Sequence, residues 1–334
     1  MSLVMHPGLF LILVGAIAAI VPQSVRKFVL AAGPALALAM FFTLPHEEDL
    51  LVIPFINDWS LHLLTIDSLS WFFNVLFLTL AFLGGVYSMH NPSWAEALAS
   101  MTYAGSTVCM VFAGDWISLI FFWELMAISS LYLIWANHTA RSRRAGFRYL
   151  LIHMLGGNLL LAGIFFKVIA GDMMVGNIAE TRDAAFWLMF LAVCINGVIP
   201  PLHAWVADAY PESTITGGAF MSGLTTKAAI YVLIRMFAGT DFLIVVEMCI
   251  RDSFYSRLHS SGIGETLGLM ISFLGLAVFE GLNLMTIKLF IVFLLVFLAN
   301  PIGTHILGQA AIKSGLVPWE IEEEEAEKDA ESHH

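Results

Sequence analysis

The hydrophobic positions of this chain fall into long, nearly uninterrupted runs that alternate with short polar segments. A run of about 20 apolar residues crosses the hydrocarbon core of a bilayer as an α-helix. We therefore predict an all-α fold, a polytopic transmembrane helix bundle. Up to residue 246 the predicted helices span approximately 7–21, 28–44, 69–89, 94–113, 116–136, 148–169, 185–199 and 217–238.

Two segments depart from the pattern. Between the second and third helices, HEEDLLVIPFINDWSLHLLTID is too polar to span, and its alternation predicts a small extracytoplasmic hairpin. The seventh run is interrupted at Gly197, Pro200 and Pro201. A proline frees backbone carbonyls, and non-helical backbone at membrane depth is tolerated only inside protein or beside a wet cavity. We therefore predict a discontinuous helix, broken at 197–201, at an interior site.

Composition supports a membrane protein. Hydrophobic residues make up 59% of the chain and charged residues 12%, whereas soluble domains carry roughly a quarter charged residues. The formal charge of −11 is concentrated in the acidic end, 320–334, which we predict to be disordered. No nucleotide, phosphate, haem or iron–sulfur motif is present, and the cysteines lack metal spacing. We expect no cofactor, no metal site, no redox chemistry of its own and no nucleic-acid partner.

The positions of the basic residues predict how the chain is oriented in the membrane. Arg26 and Lys27 follow the first helix, and an arginine cluster within 141–148 follows the fifth, so these ends are expected in the cytoplasm. The N-terminus is then extracytoplasmic, and because MSLVMH lacks the basic region of a cleaved signal, the first run is expected to be retained. After the eighth helix, Arg251 and Arg257 lie on the wrong side, so one crossing is missing.

Two ionisable residues lie deep in predicted helices. Glu124 is eight residues into its helix, roughly 12 Å deep, and Lys227 is ten residues after Gly217, roughly 15 Å deep. A charge at a helix centre costs about 2.5–3.5 kcal/mol, so both are expected to face the interior and to mark an ion pathway. The alternatives are a protonated core carboxyl for Glu124 and a snorkelling side chain for Lys227.

Two motifs carry a family resemblance. WISLIFFWELMAISSLYLIW and PLHAWVADAYPESTITGGAFMSGLTTKAAIYVLIRMF resemble the antiporter-like membrane subunits shared by respiratory complex I and Mrp-type cation/proton antiporters, most of all the D-type protein of the Mrp assembly. The resemblance covers about residues 1–246 and implies the first of two inverted repeats. Residues 252–319 resemble the small G-type protein of the Mrp assembly without its first helix.

These resemblances divide the chain into four segments. We predict an antiporter-like region, 1–246, and an artefactual junction, 247–253, which contains the hexapeptide MCIRDS. A helical hairpin like that of the G-type protein, 254–319, and the acidic tail, 320–334, follow. The chain is then a chimera of two neighbouring genes; the alternative is a genuine fusion.

The resemblance also implies site residues. Glu124 matches the family's glutamate that modulates a neighbouring lysine, Lys227 a relay lysine, and His203 the histidine of PLH. His153, in the sixth helix, is a further candidate; both histidines have a purely structural alternative. Asn196 occupies a position where the family carries a lysine, and an amide can hold water or sodium but no proton charge.

The expected function is that of a membrane subunit of a multisubunit monovalent cation (Na+)/H+ antiporter, which moves protons through buried ionisable residues. Its expected partners are other membrane subunits, H+, Na+ and the bilayer, and its expected location is a bacterial or archaeal cytoplasmic membrane. One alternative is a proton-translocating arm subunit of an NADH:quinone oxidoreductase or membrane-bound hydrogenase type complex. The other is a scaffold subunit that moves no ions.

Overall fold

Long apolar helices dominate the computed structural model, which describes residues 5–45, 49–56, 59–90, 93–199 and 204–240. The helices confirm the predicted all-α membrane bundle. Their bounds are α1 Pro7–Ile20, α2 Gln23–Phe42, α3 Ser68–Tyr87, α4 Trp94–Phe112, α5 Trp116–Trp135, α6 Ala140–Ile169, α7 Ala184–Asn196, α8 Ala204–Ala209, α9 Ile215–Gly223 and α10 Thr225–Phe237. A 3-10 turn, Ser88–His90, extends α3.

Five membrane-length segments are apolar enough to cross a bilayer within the described residues, and α1 and α7 are shorter apolar helices. Short polar side chains start most of them. Asp115, for example, accepts a hydrogen bond from the Ser118 amide at 2.8 Å, which satisfies one of the free donors at the beginning of α5. The helix starts therefore follow from capping residues that the sequence shows.

The centre of the bundle is α4. Nearly every residue from Ala97 to Phe112 is buried, and α1, α3, α5 and α10 pack around the helix. The closest approach is to α1, where a methyl group on Gly8 would lie 2.6 Å from the Gly105 carbonyl oxygen. Small residues let two apolar helices approach to backbone contact, which is how helices associate without a hydrophobic driving force in lipid.

The segment between α2 and α3 forms the expected small hairpin, with antiparallel strands β1 Leu51–Ile56 and β2 Trp59–Leu64. It is attached to the end of α4 through backbone bonds from Thr65 to Phe112 (2.9 Å) and from Gly114 to His62 (2.8 Å). The hairpin thus closes one end of the bundle.

Two spans are discontinuous. The predicted break after α7 is confirmed on its described side, because the helix ends at Asn196 and Val198 has a φ of +62°. A positive φ is strained for a β-branched residue, and such strain clusters at functional sites. The eighth predicted helix also differs from the expected continuous run, since Leu224 separates α9 from α10.

Candidate functional site

Glu124 packs against the backbone of α6. It is half-buried on α5, and a methyl group on Gly157 would overlap its carboxyl group. Among the described residues it makes no side-chain hydrogen bond and no ion pair. Glycine at 157 therefore leaves the space that the carboxyl group occupies.

Asn196 is the last residue of α7 and lies beside Gly156 on α6. Its side chain is fully buried, and a methyl group on Gly156 would lie 3.3 Å from its Oδ1. Neither Oδ1 nor Nδ2 has a hydrogen-bond partner within the part of the chain that the structure describes. An unsatisfied buried polar group costs about 1–3 kcal/mol, so this amide fits a water molecule or an ion as its partner.

His153 is another buried residue with an unpaired polar atom. Its Nδ1 lies 3.1 Å from the Tyr149 carbonyl oxygen, and its ring stacks on the Tyr149 ring at 3.8 Å between centroids. The edge of Trp205 closes the other side at 4.6 Å, and Nε2 has no partner among described residues. Trp205 in turn donates from Nε1 to the Ile195 carbonyl at 2.9 Å, which ties α8 to the last turn of α7.

The break at Leu224 is completed by tyrosine hydroxyls. In an unbroken helix the Thr225 amide would donate to the Met221 carbonyl. Here the Thr225 amide donates to the Tyr103 hydroxyl at 2.9 Å, and the Met221 carbonyl accepts from the Tyr210 hydroxyl at 2.9 Å. Both freed backbone groups are therefore satisfied by side chains, as membrane burial requires.

Buried hydroxyl pairs join two pairs of helices. The Tyr103 hydroxyl on α4 lies 2.5 Å from Thr225 Oγ1 on α10. The Tyr149 hydroxyl on α6 lies 2.6 Å from Ser130 Oγ on α5, and His153 stacks on the Tyr149 ring. Sequence reasoning does not find these pairs, because their hydroxyls are far apart along the chain.

Lys227 differs from expectation. It lies in the first turn of α10 and is exposed, and its Nζ donates to the Ser222 carbonyl across the break at 2.7 Å. Lys227 nevertheless lies near the middle of the membrane-length segment Ile215–Phe237, so the difference concerns the face of the helix on which it lies and not its position along the segment. The structure brings Glu124, His153 and Asn196 to α6 or its surface, whereas Lys227 lies on the outer side of α10.

The remaining predicted positions have simpler outcomes. Pro200, Pro201 and His203 lie outside the described residues. Asp208 pairs with Arg148 at 2.8 Å, and both side chains are about half exposed. This pair is typical of a solvated surface rather than of a buried pathway.

The sequence does not predict the ion pair of Arg235 with Asp67. Arg235, near the end of α10, donates to both carboxylate oxygens of Asp67, at 2.9 Å to Oδ1, and to the Tyr231 hydroxyl at 2.8 Å. Tyr231 donates to the Val111 carbonyl at 2.7 Å. The ends of α3, α4 and α10 are thereby fastened together. Nothing in the sequence links Arg235 to a partner 168 residues away.

The described part is thus a polytopic membrane helix bundle with broken spans and buried polar groups beside them. Residues 113–263 match the family described as NADH:quinone oxidoreductase/Mrp antiporter, TM, and residues 220–312 match a Na+/H+ antiporter subunit family. These two matches support the composite of two antiporter-subunit segments that the sequence resemblance indicates. Because the two matches overlap, the junction at 247–253 stays a prediction.

Known proteins support the same assignment. The chain is 27% identical over 201 residues to Na(+)/H(+) antiporter subunit A1 of Staphylococcus haemolyticus, which is 54% of this chain and 25% of that protein. It resembles the Mrp complex from Dietzia sp. DQ12-45-1b with a TM-score of 0.64 and 18% identity, over 79% of this chain and 31% of that chain. It resembles respiratory complex I from Thermus thermophilus with bound aureothin with a TM-score of 0.57 and 18% identity, over 78% of this chain and 58% of that chain.

These structural likenesses show the fold of membrane-arm antiporter-like subunits. The chain spans between 18% and 25% of the length of the curated relatives it matches.

Proposed function

We propose that the chain is a membrane subunit of a multisubunit Na+/H+ antiporter of the Mrp type, in which protons pass buried polar groups beside Glu124. The observation that carries the proposal is a set of buried, unpaired polar atoms, Nε2 of His153 and the amide of Asn196, on and beside the helix against which Glu124 packs. Uncompensated polar groups are costly in an apolar interior, and water or a passing ion compensates them.

The proposed roles follow from the chemistry of each group. Glu124 binds and releases protons, the Asn196 amide holds a water molecule or Na+, and Nε2 of His153 exchanges hydrogen bonds with the same water. Lys227 lies on the outer surface, where it relays charge to a neighbouring helix of the assembly. His203 stays a candidate at the cytoplasmic side of the break.

The proposed setting is the cytoplasmic membrane of a bacterium or archaeon, with the N-terminus outside and other membrane subunits as partners. The basic segments after the first and fifth helices support this orientation. The name of the Staphylococcus haemolyticus relative supports Na+ as the exchanged cation.

Cation-driven proton movement in everted vesicles tests the proposal, with the chain and its partner subunits expressed in a host that lacks its own antiporters. Glu124→Gln is expected to lower exchange roughly a hundredfold, the scale of a positioned proton-transfer group. Asn196→Lys restores the lysine of the family and is expected to raise proton movement. If exchange is indifferent to both changes, the chain is a scaffold.

A second comparison tests the geometry rather than the charge. Gly157→Ala places a methyl group against the Glu124 carboxyl, so we expect it to impair exchange at unchanged membrane content. Gly223→Ala is the control, because its methyl group would meet only the end of the Leu80 side chain, at 3.3 Å from Cδ1, outside the site. Equal activity of the two variants would contradict a working carboxyl at this place.

Two alternatives have observations in their favour. The likeness to a respiratory complex I supports a proton-translocating arm of an NADH:quinone oxidoreductase or membrane-bound hydrogenase type complex. Neighbouring genes for hydrophilic iron–sulfur subunits would distinguish it from an antiporter operon. The uncharged Asn196 and the exposed Lys227 favour a scaffold subunit that moves no ions. Exchange that is unchanged in both Glu124→Gln and Asn196→Lys would identify such a scaffold.

A further inference from the structure

The first turns of α6 project beyond the bilayer core. The helix has 30 residues and is therefore about 45 Å long, whereas the hydrocarbon layer is about 30 Å thick. The projecting end carries four exposed arginines. They are Arg141, Arg143, Arg144 and Arg148. Guanidinium groups at this depth lie at the level of lipid headgroups.

Three of these arginines are uncommitted. Arg148 pairs with Asp208, whereas Arg141, Arg143 and Arg144 form no side-chain hydrogen bond or ion pair with the residues that the structure describes. The helix N-terminus itself is closed, because Thr139 and Ser142 cap each other's backbone amides. The donors available to an anion are therefore the guanidinium groups.

The arginines share a recess with an aromatic ring. Arg143, Arg144, Phe147, Arg148 and Ala140 line a surface cavity of about 500 Å³. Guanidinium groups bind a phosphate diester through paired hydrogen bonds. The recess is wide open to the outside of the helix bundle.

An exposed apolar stripe continues from the recess toward the other end of the helix. Phe147 is 56% exposed, and Leu151 and Leu155 follow at one-turn intervals with 54% and 56%. The exposed apolar surface of α6 also includes Met154, Leu161, Phe165 and Ile169, all at least half exposed. A cationic recess at the head of an apolar stripe is the complement of an amphiphile with an anionic head and an acyl tail.

We propose that this end of α6 binds an anionic phospholipid, with its phosphate between Arg143 and Arg144 and an acyl chain along Phe147, Leu151 and Leu155. Clusters of bases at the cytoplasmic end of a membrane helix favour anionic lipids in this way. A zwitterionic lipid brings a cation that the arginines repel, and free phosphate leaves the apolar stripe unused.

Lipid retention by the full purified chain tests the site. The chain is reconstituted with phosphatidylcholine and a minor share of phosphatidylglycerol, extracted in mild detergent, and its bound lipids are measured by native mass spectrometry. Removal of one arginine is expected to lower phosphatidylglycerol retention about fivefold, and Arg143→Gln with Arg144→Gln roughly 30-fold.

Arg141→Gln is the matched control, since it removes the same charge from the same end of the helix but does not line the recess. We expect it to retain the lipid. Equal losses in Arg141→Gln and in the single variant Arg143→Gln, which remove the same charge, would reduce the effect to general surface charge and overturn the site.

Two further arms identify the ligand. Leu151→Ser is expected to weaken retention although it leaves every arginine in place. Displacement of the lipid by inorganic phosphate alone would overturn a lipid site in favour of a free-anion site. Retention by the isolated chain but not by the assembled complex would mean that protein covers this face, and would also overturn the proposal.

Discussion

At the scale of single residues, the ion pair of Arg235 with Asp67 joins two helices that are distant in sequence. Partial burial acts to raise the pKa of the Asp67 carboxyl, but the hydrogen bonds from Arg235 and from the Ser70 amide outweigh it, and the pKa lies below its usual value. Asp67 also caps the start of α3. One carboxylate therefore serves both a helix end and an interhelical contact.

A lowered pKa makes the contribution of Asp67 dependent on pH. The stabilisation is complete above the unfolded pKa, near 3.9, and is lost as the pH falls through the lower folded value. Asp67→Asn keeps a capping side chain but removes the charge. We expect it to lower the Tm at neutral pH by about 2–4 °C, a loss on the order of 1 kcal/mol, and the difference from the wild type to shrink as the pH falls below about 3.9.

Thermal unfolding in detergent across this pH range provides the measurement. Arg235→Gln is expected to reproduce the loss at neutral pH, and the double variant to add little to either single variant, because both remove one interaction. Additive losses would show that the two residues act separately.

At the scale of helices, the broken span α9–α10 depends on hydroxyl groups from elsewhere in the chain. The Tyr103 hydroxyl accepts from the Thr225 amide, and the Tyr210 hydroxyl donates to the Met221 carbonyl. These two backbone groups would bond to each other in a continuous helix. The neighbouring Lys227 adds a third bond across the break, to the Ser222 carbonyl. The break is thus a built feature of the bundle rather than frayed helix.

Removal of either hydroxyl is expected to leave a buried backbone group without a partner. Tyr103→Phe and Tyr210→Phe are each expected to cost about 1–3 kcal/mol of stability. Hydrogen exchange of the Thr225 amide is expected to accelerate in Tyr103→Phe. The matched control is Tyr132→Phe on α5, whose half-buried ring makes no side-chain hydrogen bond to the described residues. Slow exchange at Thr225 in Tyr103→Phe would mean that α9 and α10 close into one helix.

The contrast between the two breaks explains what the sequence could predict. Gly197 and the prolines after it are local signals, and they predict the end of α7. The break at Leu224 has no proline, and its stabilising Tyr103 lies 122 residues from Thr225. Hydrophobic runs likewise predict the helices, whereas the glycine pair at 156 and 157 meets Asn196 and Glu124 only once three helices have packed.

At the scale of the whole molecule, the described bundle has one deep centre and wide apolar surfaces. The helix α4 is almost fully enclosed, while α6 exposes large apolar side chains such as Phe165 and Ile169 along its length. The centre of the bundle is apolar, as in a soluble protein. The periphery differs, because it exposes large apolar side chains where lipid replaces water as the solvent. Glu124 and Asn196 lie where α5 and α7 contact α6, and His153 is buried on α6, whereas Lys227 is exposed.

The orientation of α6 in the membrane is open to direct measurement. Arg141 and Asp172 are exposed residues at opposite ends of this helix, and the bases predict that Arg141 faces the cytoplasm. A single cysteine at either position, in a chain whose own cysteines are replaced, reports the side that it faces to a membrane-impermeant maleimide. Asp172→Cys is expected to react in intact cells, and Arg141→Cys only in everted vesicles. The opposite labelling would invert the chain and would place both the arginine recess and the predicted extracytoplasmic N-terminus on the other side of the membrane.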